Sequence, residues 1–123
     1  MILKQVFDTR TSTYTYLIAS ANGREAVIID PVIENVSEYI QLLKELDLKL
    51  VKVIDTHIHA DHVTAASKLK QATNCATLMG EHTPADAVEI KVKDNEMINI
   101  DDLNIKSIYT PGHTSESYSF LLD

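Results

Sequence analysis

Between Thr56 and His62 the chain reads Thr-His-Ile-His-Ala-Asp-His, which sets three imidazoles and a carboxylate within seven residues. Neutral imidazole and carboxylate are the donor types that suit zinc, manganese or iron. Two side chains separated by one residue in extended backbone project to the same side, so His57 and His59 can hold one ion. Asp61 and His62 follow a one-residue spacer, where the chain begins to turn into the next helix. Their side chains can aim at a neighbouring point, and paired metal ions typically sit about 3.5–4 Å apart. An isolated histidine is most often a solvated polar side chain, whereas a metal needs several donors converging on one point, which this spacing offers.

A further histidine lies downstream, in Tyr109-Thr110-Pro111-Gly112-His113-Thr114. A strand ends there, Pro and Gly force a turn, and the imidazole of His113 is presented in a loop as the third metal-binding histidine. His82, in Gly80-Glu81-His82-Thr83-Pro84, has no comparable setting and is expected at the surface. Cys75 has the flanks of a buried strand thiol.

The cluster is positioned by the elements around it. Ile2 to Phe7, Tyr14 to Ala19 and Glu25 to Ile29 have strand character, and Ala21-Asn22-Gly23 carries a hairpin signal between the second and third. From Val36, apolar residues recur at three- and four-residue spacing (Tyr39, Ile40, Leu42, Leu43, Leu46), which predicts an amphipathic helix lying on a sheet. Leu48 to Ile54 is partly alternating and β-branched and runs into Asp55-Thr56-His57, so the histidines fall just past the carboxyl end of a strand. A second helix is expected over about Thr64 to Ala72, then a short strand over Cys75 to Met79. Glu89 to Val92, Met97 to Ile100, Leu103 to Tyr109 and Tyr118 to Leu122 are further strands, with Asp94-Asn95 and Asp101-Asp102 as turns. This order predicts an α/β fold, a layered mixed sheet with helices on one face and a ligand site at strand carboxyl ends.

The totals narrow the functional classes. At 123 residues, without repeat or linker, one domain is expected, and 45% hydrophobic with 24% charged residues is the balance of a folded chain. A net charge of −7 and the lack of any basic run argue against nucleic acid and anionic membrane surfaces. No apolar run approaches the roughly 18–20 residues that span a bilayer. A single cysteine excludes an intrachain disulfide, and the first residues lack the apolar core of a signal peptide, so a cytoplasmic setting is expected.

The motif Thr56-His57-Ile58-His59-Ala60-Asp61-His62, with Ile29-Asp30-Pro31 upstream and Thr110-Pro111-Gly112-His113-Thr114 downstream, resembles the metallo-β-lactamase superfamily, in the family's order and over nearly the whole chain. The segments T-Y-T-Y-L-I, E-A-V-I-I-D-P-V, K-E-L-D-L-K-L and T-H-I-H-A-D-H-V-T are most similar to its persulfide dioxygenase branch, with glyoxalase II as the nearest alternative. The resemblance implies an αββα sandwich with the metal site at one edge. In dinuclear members, the positions matching His57, His59 and His113 hold the first metal, and those matching Asp61 and His62 help hold the second. In the dioxygenase branch, the positions matching His57 and His113, with one later aspartate, hold a single Fe(II).

Two departures stand out. Ala65-Ala66 occupies the place where the branch usually has Gly, and no Gly-Asp dipeptide exists for the family's later metal-binding aspartate. The chain therefore resembles the amino-terminal half of such an enzyme, and an open inner sheet face would favour association with a second copy or a complementing carboxyl-terminal segment. Three functions are expected on this basis. The first is oxidation of glutathione persulfide at mononuclear Fe(II). The second is glyoxalase II-type hydrolysis of a thioester at one or two zinc ions, with Asp61 as the candidate catalytic residue. The third is a non-catalytic metal-binding domain.

Overall fold

The computed structural model describes residues 1–57, 60–83, 88–112 and 116–122, the side chains of residues 60–64 excepted. In chain order the elements are β1 (Ile2–Asp8), β2 (Thr13–Ala19), β3 (Glu25–Ile29), a 3-10 turn (Ile33–Asn35), α1 (Val36–Glu45), β4 (Lys49–Ile54), α2 (Ala60–Thr73), β5 (Ala76–Gly80), β6 (Ile90–Val92), β7 (Met97–Ile100), β8 (Leu103–Tyr109) and β9 (Tyr118–Leu122). The strands form a six-stranded sheet in the order β1-β2-β3-β4-β5-β6 and a three-stranded sheet in the order β7-β8-β9. β1, β2 and β3 run antiparallel, and β3 to β6 run parallel. The last three strands thus leave the mixed sheet and build a second, antiparallel one.

Parallel neighbours need crossovers, and the helices supply them: α1 joins β3 to β4 and α2 joins β4 to β5. Both helices lie on the same face of the larger sheet. Tyr39 and Leu43 of α1 and Ala66 and Leu69 of α2 share a core with Leu17, Ala19, Ala26, Ile28, Leu50 and Val53. Residues alternating with these point the other way: Ile18, Val27, Ile54 and Leu78 pack against Ile98, Ile100, Leu103 and Ile105 of the second sheet. Two cores sandwich one sheet, which explains why β2 and β3 are apolar at consecutive positions.

The irregular alternation in β4 has a local cause. The β3–β4 register shifts between Ala26 and Val27, whose partners are Leu50 and Lys52, so Val51 is the extra residue of a β-bulge. Leu50 and Val53 consequently share the helix-side core while Ile54 faces the second sheet. The turns follow the sequence signals: Gly23 (φ +78°), Asn95 (φ 65°) and Asp101 (φ 50°) all adopt left-handed backbone. α2 differs from expectation by starting at Ala60 rather than near Thr64, so Asp61 and His62 stand in its first turn, not ahead of it. These two polar residues contribute nothing to an apolar periodicity, while a carboxylate is favourable at a helix amino end.

The β1–β2 turn is held by Asp8, whose carboxylate accepts from the Thr11 N–H (2.9 Å) and hydroxyl (2.8 Å), from Arg10 (3.1 Å) and from Asn35 Nδ2 (3.2 Å). The Thr11 hydroxyl above all, aided by the Thr11 N–H, Arg10 and Asn35, overcomes burial and lowers the Asp8 carboxyl to about 2. A carboxylate lowered in the folded state adds stability that is fully present above its unfolded value, near 3.8, and is lost as pH falls toward about 2. Asp8→Asn is expected to lower the melting temperature near neutral pH and to flatten its fall at strongly acid pH. Thermal unfolding followed by circular dichroism across that range checks this, and parallel curves for the two proteins would contradict it.

Candidate metal centre

Because β3, β4 and β5 are parallel, their carboxyl ends, Asp30, Asp55-Thr56-His57 and Gly80-Glu81-His82, lie on one edge of the larger sheet. The second sheet reaches the same edge: the Tyr118 N–H donates to the Thr56 carbonyl (2.9 Å), and Thr110 N–H to the Ser117 carbonyl (3.0 Å) closes the turn that follows β8.

Asp30 is the hinge of this edge. It precedes Pro31 with φ 54°, a left-handed conformation that Asp tolerates better than most residues but that still costs on the order of 1–3 kcal/mol. Several bonds hold it. Its N–H donates to the Ile54 carbonyl (2.8 Å), and its own carbonyl accepts from the Thr15 hydroxyl (2.7 Å). With the Thr15 proton committed there, the Tyr39 hydroxyl (3.1 Å) donates to Thr15, and Tyr39 in turn accepts from the Val32 N–H (2.9 Å). A buried chain of donors from α1 thus fixes the backbone at Asp30.

The Asp30 side chain then sets the histidine. Its Oδ1 accepts from the Thr56 N–H (2.8 Å) and its Oδ2 from the Thr56 hydroxyl (2.7 Å). A hydroxyl has one proton, so toward His57 Nδ1, 2.9 Å away, Thr56 Oγ1 accepts. Nδ1 therefore carries the imidazole proton and the lone pair sits on Nε2. A neutral imidazole whose other nitrogen is anchored through a hydroxyl to a buried carboxylate is what a ligating histidine requires, so His57 fits a divalent metal.

Burial pushes the Asp30 carboxyl above its usual range, against the two Thr56 bonds and the neighbouring His57. Asp55, 5% exposed, is pushed well above by burial and then by Asp30, and its Oδ1 has no hydrogen-bond partner among the described residues. His59 and His113 lie outside the described residues, and so do the side chains of Asp61 and His62. Among the described residues no three His, Cys, Asp or Glu side chains form a metal-holding group. Cys75 is buried just ahead of β5, and burial pushes its thiol up, as fits an inert core position.

On the other side of the edge His82 is exposed, as expected, but it is not solitary. Its ring stacks on Tyr109 (centroids 3.9 Å apart, planes at 4°) and its Nδ1 lies 3.0 Å from the Tyr118 hydroxyl. Tyr118 lies so close over Gly80 that a Cβ there would come within 2.0 Å of the ring. Sequence reasoning missed Tyr118 because an aromatic at a strand start is indistinguishable from a core residue until its partners are known.

A family model described as the metallo-beta-lactamase superfamily matches residues 8–122. The mitochondrial persulfide dioxygenase ETHE1 of Bos taurus is 35% identical over 124 aligned residues, covering 100% of this chain and 48% of that protein. A hydroxyacylglutathione hydrolase of Prochlorococcus marinus is 33% identical over 102 residues, 80% of this chain and 40% of that one. The crystal structure of ETHE1 from Myxococcus xanthus aligns with a TM-score of 0.92 at 42% identity, covering 99% of this chain and 54% of that one. The chain spans about half the length of these relatives. A family match from the end of β1 to the end of β9, on a fold that brings His57 to a strand end in the form a metal requires, leads to one conclusion: the chain belongs to the metallo-β-lactamase superfamily.

Proposed function

We propose that the protein is a persulfide dioxygenase that oxidises glutathione persulfide at a single Fe(II). The observation that carries this reading is the similarity of the entire chain to persulfide dioxygenase ETHE1, in sequence and in fold. His57 and His113 would hold the iron. An Fe(II) held by two histidines and a carboxylate would supply binding and activation of O₂ together with a sulfur donor. The chain's own part is orientation: Asp30 and Thr56 keep the proton on His57 Nδ1 and its lone pair on Nε2.

A second reading is a thioester hydrolase, favoured by the match to a hydroxyacylglutathione hydrolase and by Asp61 and His62 in the first turn of α2. In it, His57, His59 and His113 hold one zinc, Asp61 and His62 serve a second, and Asp61 is the catalytic carboxylate. Oxygen uptake by the iron-loaded protein with glutathione persulfide separates the two. Uptake is expected; thioester cleavage with two equivalents of zinc and no oxygen consumption would replace the first reading with the second.

The orienting bonds make a further prediction. Thr56→Val keeps the shape of the side chain but removes both the donor to Asp30 and the acceptor for His57, and is expected to weaken Fe(II) binding about 10- to 100-fold. His57→Ala should abolish stoichiometric binding. Asp30→Ala should cost more stability than Asp30→Asn, because Asn also tolerates the left-handed backbone. Metal titration and thermal unfolding of the variants check these outcomes.

A further inference from the structure

His82, Tyr109 and Tyr118 form an aromatic group that the metal chemistry does not use. Three loops meet in it: the one after β5 through His82, the end of β8 through Tyr109, and the start of β9 through Tyr118, whose N–H holds the Thr56 carbonyl next to His57. The His82 ring is fixed in plane by the near-parallel stack on Tyr109 and in rotation by the Tyr118 hydroxyl. Tyr118 itself packs at 5.2 Å from Tyr109 and over Gly80, so the hydroxyl it offers is held in place. An exposed imidazole has two soft torsions, and a group that binds needs them held by its neighbours, as the stack and the hydroxyl hold this one.

Burial, then Glu81 and Asp94, raises the Tyr118 phenol above its ordinary value, so its hydroxyl keeps a proton that can be given to His82 Nδ1 or can stay while the oxygen accepts from it; the proposal takes the donating sense. A phenol donating to Nδ1 leaves the imidazole proton on Nε2, for which no described residue provides an acceptor. The outward nitrogen is then a donor. The nearby Glu81 and Asp94 carboxylates disfavour a further anion there and leave an uncharged acceptor, such as an amide carbonyl, as the fitting group.

We propose that His82, oriented by Tyr118 and Tyr109, is a substrate-contacting residue that donates its Nε2–H to a peptide carbonyl of a peptidic thiol substrate at the His57 edge. The inference rests on the thiol-derived substrate class proposed above and adds the contact that would select a peptidic thiol over a small one. No bond is made or broken at His82, so its contribution falls on binding.

Two measurements on the metal-loaded protein test it, with S-methylglutathione as an unreactive probe. Long-range ¹H–¹⁵N spectra should show His82 protonated at Nε2, a bias that Tyr118→Phe removes while keeping the ring. Calorimetry should show His82→Ala weakening the probe by about 3- to 10-fold, the worth of one hydrogen bond, with partial rescue by His82→Gln and unchanged metal content. Protonation at Nδ1 in the wild-type protein, or equal affinity of His82→Ala and wild type, would overturn the contact while leaving the dioxygenase reading intact. A wild-type protein that does not bind the probe would overturn the contact together with the proposed substrate class.

Discussion

The edge of this fold depends on one short connection, the pair of hydrogen bonds from Thr56 to the Asp30 carboxylate. Asp30 follows β3 and Thr56 lies just past β4, neighbouring parallel strands, so the connection spans the line along which ligand loops leave the sheet. It is made possible by a left-handed residue ahead of a proline, a strained geometry in isolation. The strain is supported from beneath by the relay through Thr15 and Tyr39, which brings α1 into the support of the site without any residue of α1 reaching it. Packing of one helix and orientation of one imidazole are therefore coupled through four side chains.

The bulge in β4 belongs to the same logic. With strict alternation, Leu50 and Val53 would face opposite sides, and one of them would leave the helix-side core. The extra residue, Val51, lets both contribute to that core and still turns Ile54 toward the second sheet, where it joins Ile98, Ile100 and Ile105. The direction in which Asp55, Thr56 and His57 leave the strand is set by that correction several residues earlier. Bulges recur beside active sites for this reason, since they re-aim a side chain without disturbing the strands around it.

Much of this was legible in the sequence. The strand ends, the α1 face, the turns at Asn22-Gly23, Asp94-Asn95 and Asp101-Asp102 and the position of His57 follow from local signals, because each rests on a backbone preference or a periodicity within one element. The start of α2 did not, since Asp61 and His62 are polar and a helix's first turn need not show an apolar face. The separation of β7, β8 and β9 into a second sheet is a matter of which face each strand covers, which no single strand records. Asp30 was visible only within the Ile29-Asp30-Pro31 segment of the family resemblance; what ties it to His57 is a bond to a residue 26 positions away. The exposure of His82 was legible and its contacts were not, since its stacking partner lies far along the chain.

The charge at this edge completes the argument. Asp30 and Asp55 are both driven upward by burial, and Asp55 further by Asp30, so the fold holds two carboxyl groups where ionisation is unfavourable. Asp55 lacks even a hydrogen bond for its Oδ1 among the described residues. A chain selected for stability alone would have an apolar or amide side chain at such a position, because a buried ionised group without a partner is among the most costly features a core can carry. Asp30 is explained by the acceptor it offers Thr56, whereas Asp55 forms no comparable contact in the described fold. Burial, the first cause at both groups, penalises any unpaired charge at this edge, and Asp30 adds to it at Asp55; what would relieve the two carboxylates is therefore a partner of opposite charge close enough to replace the lost water.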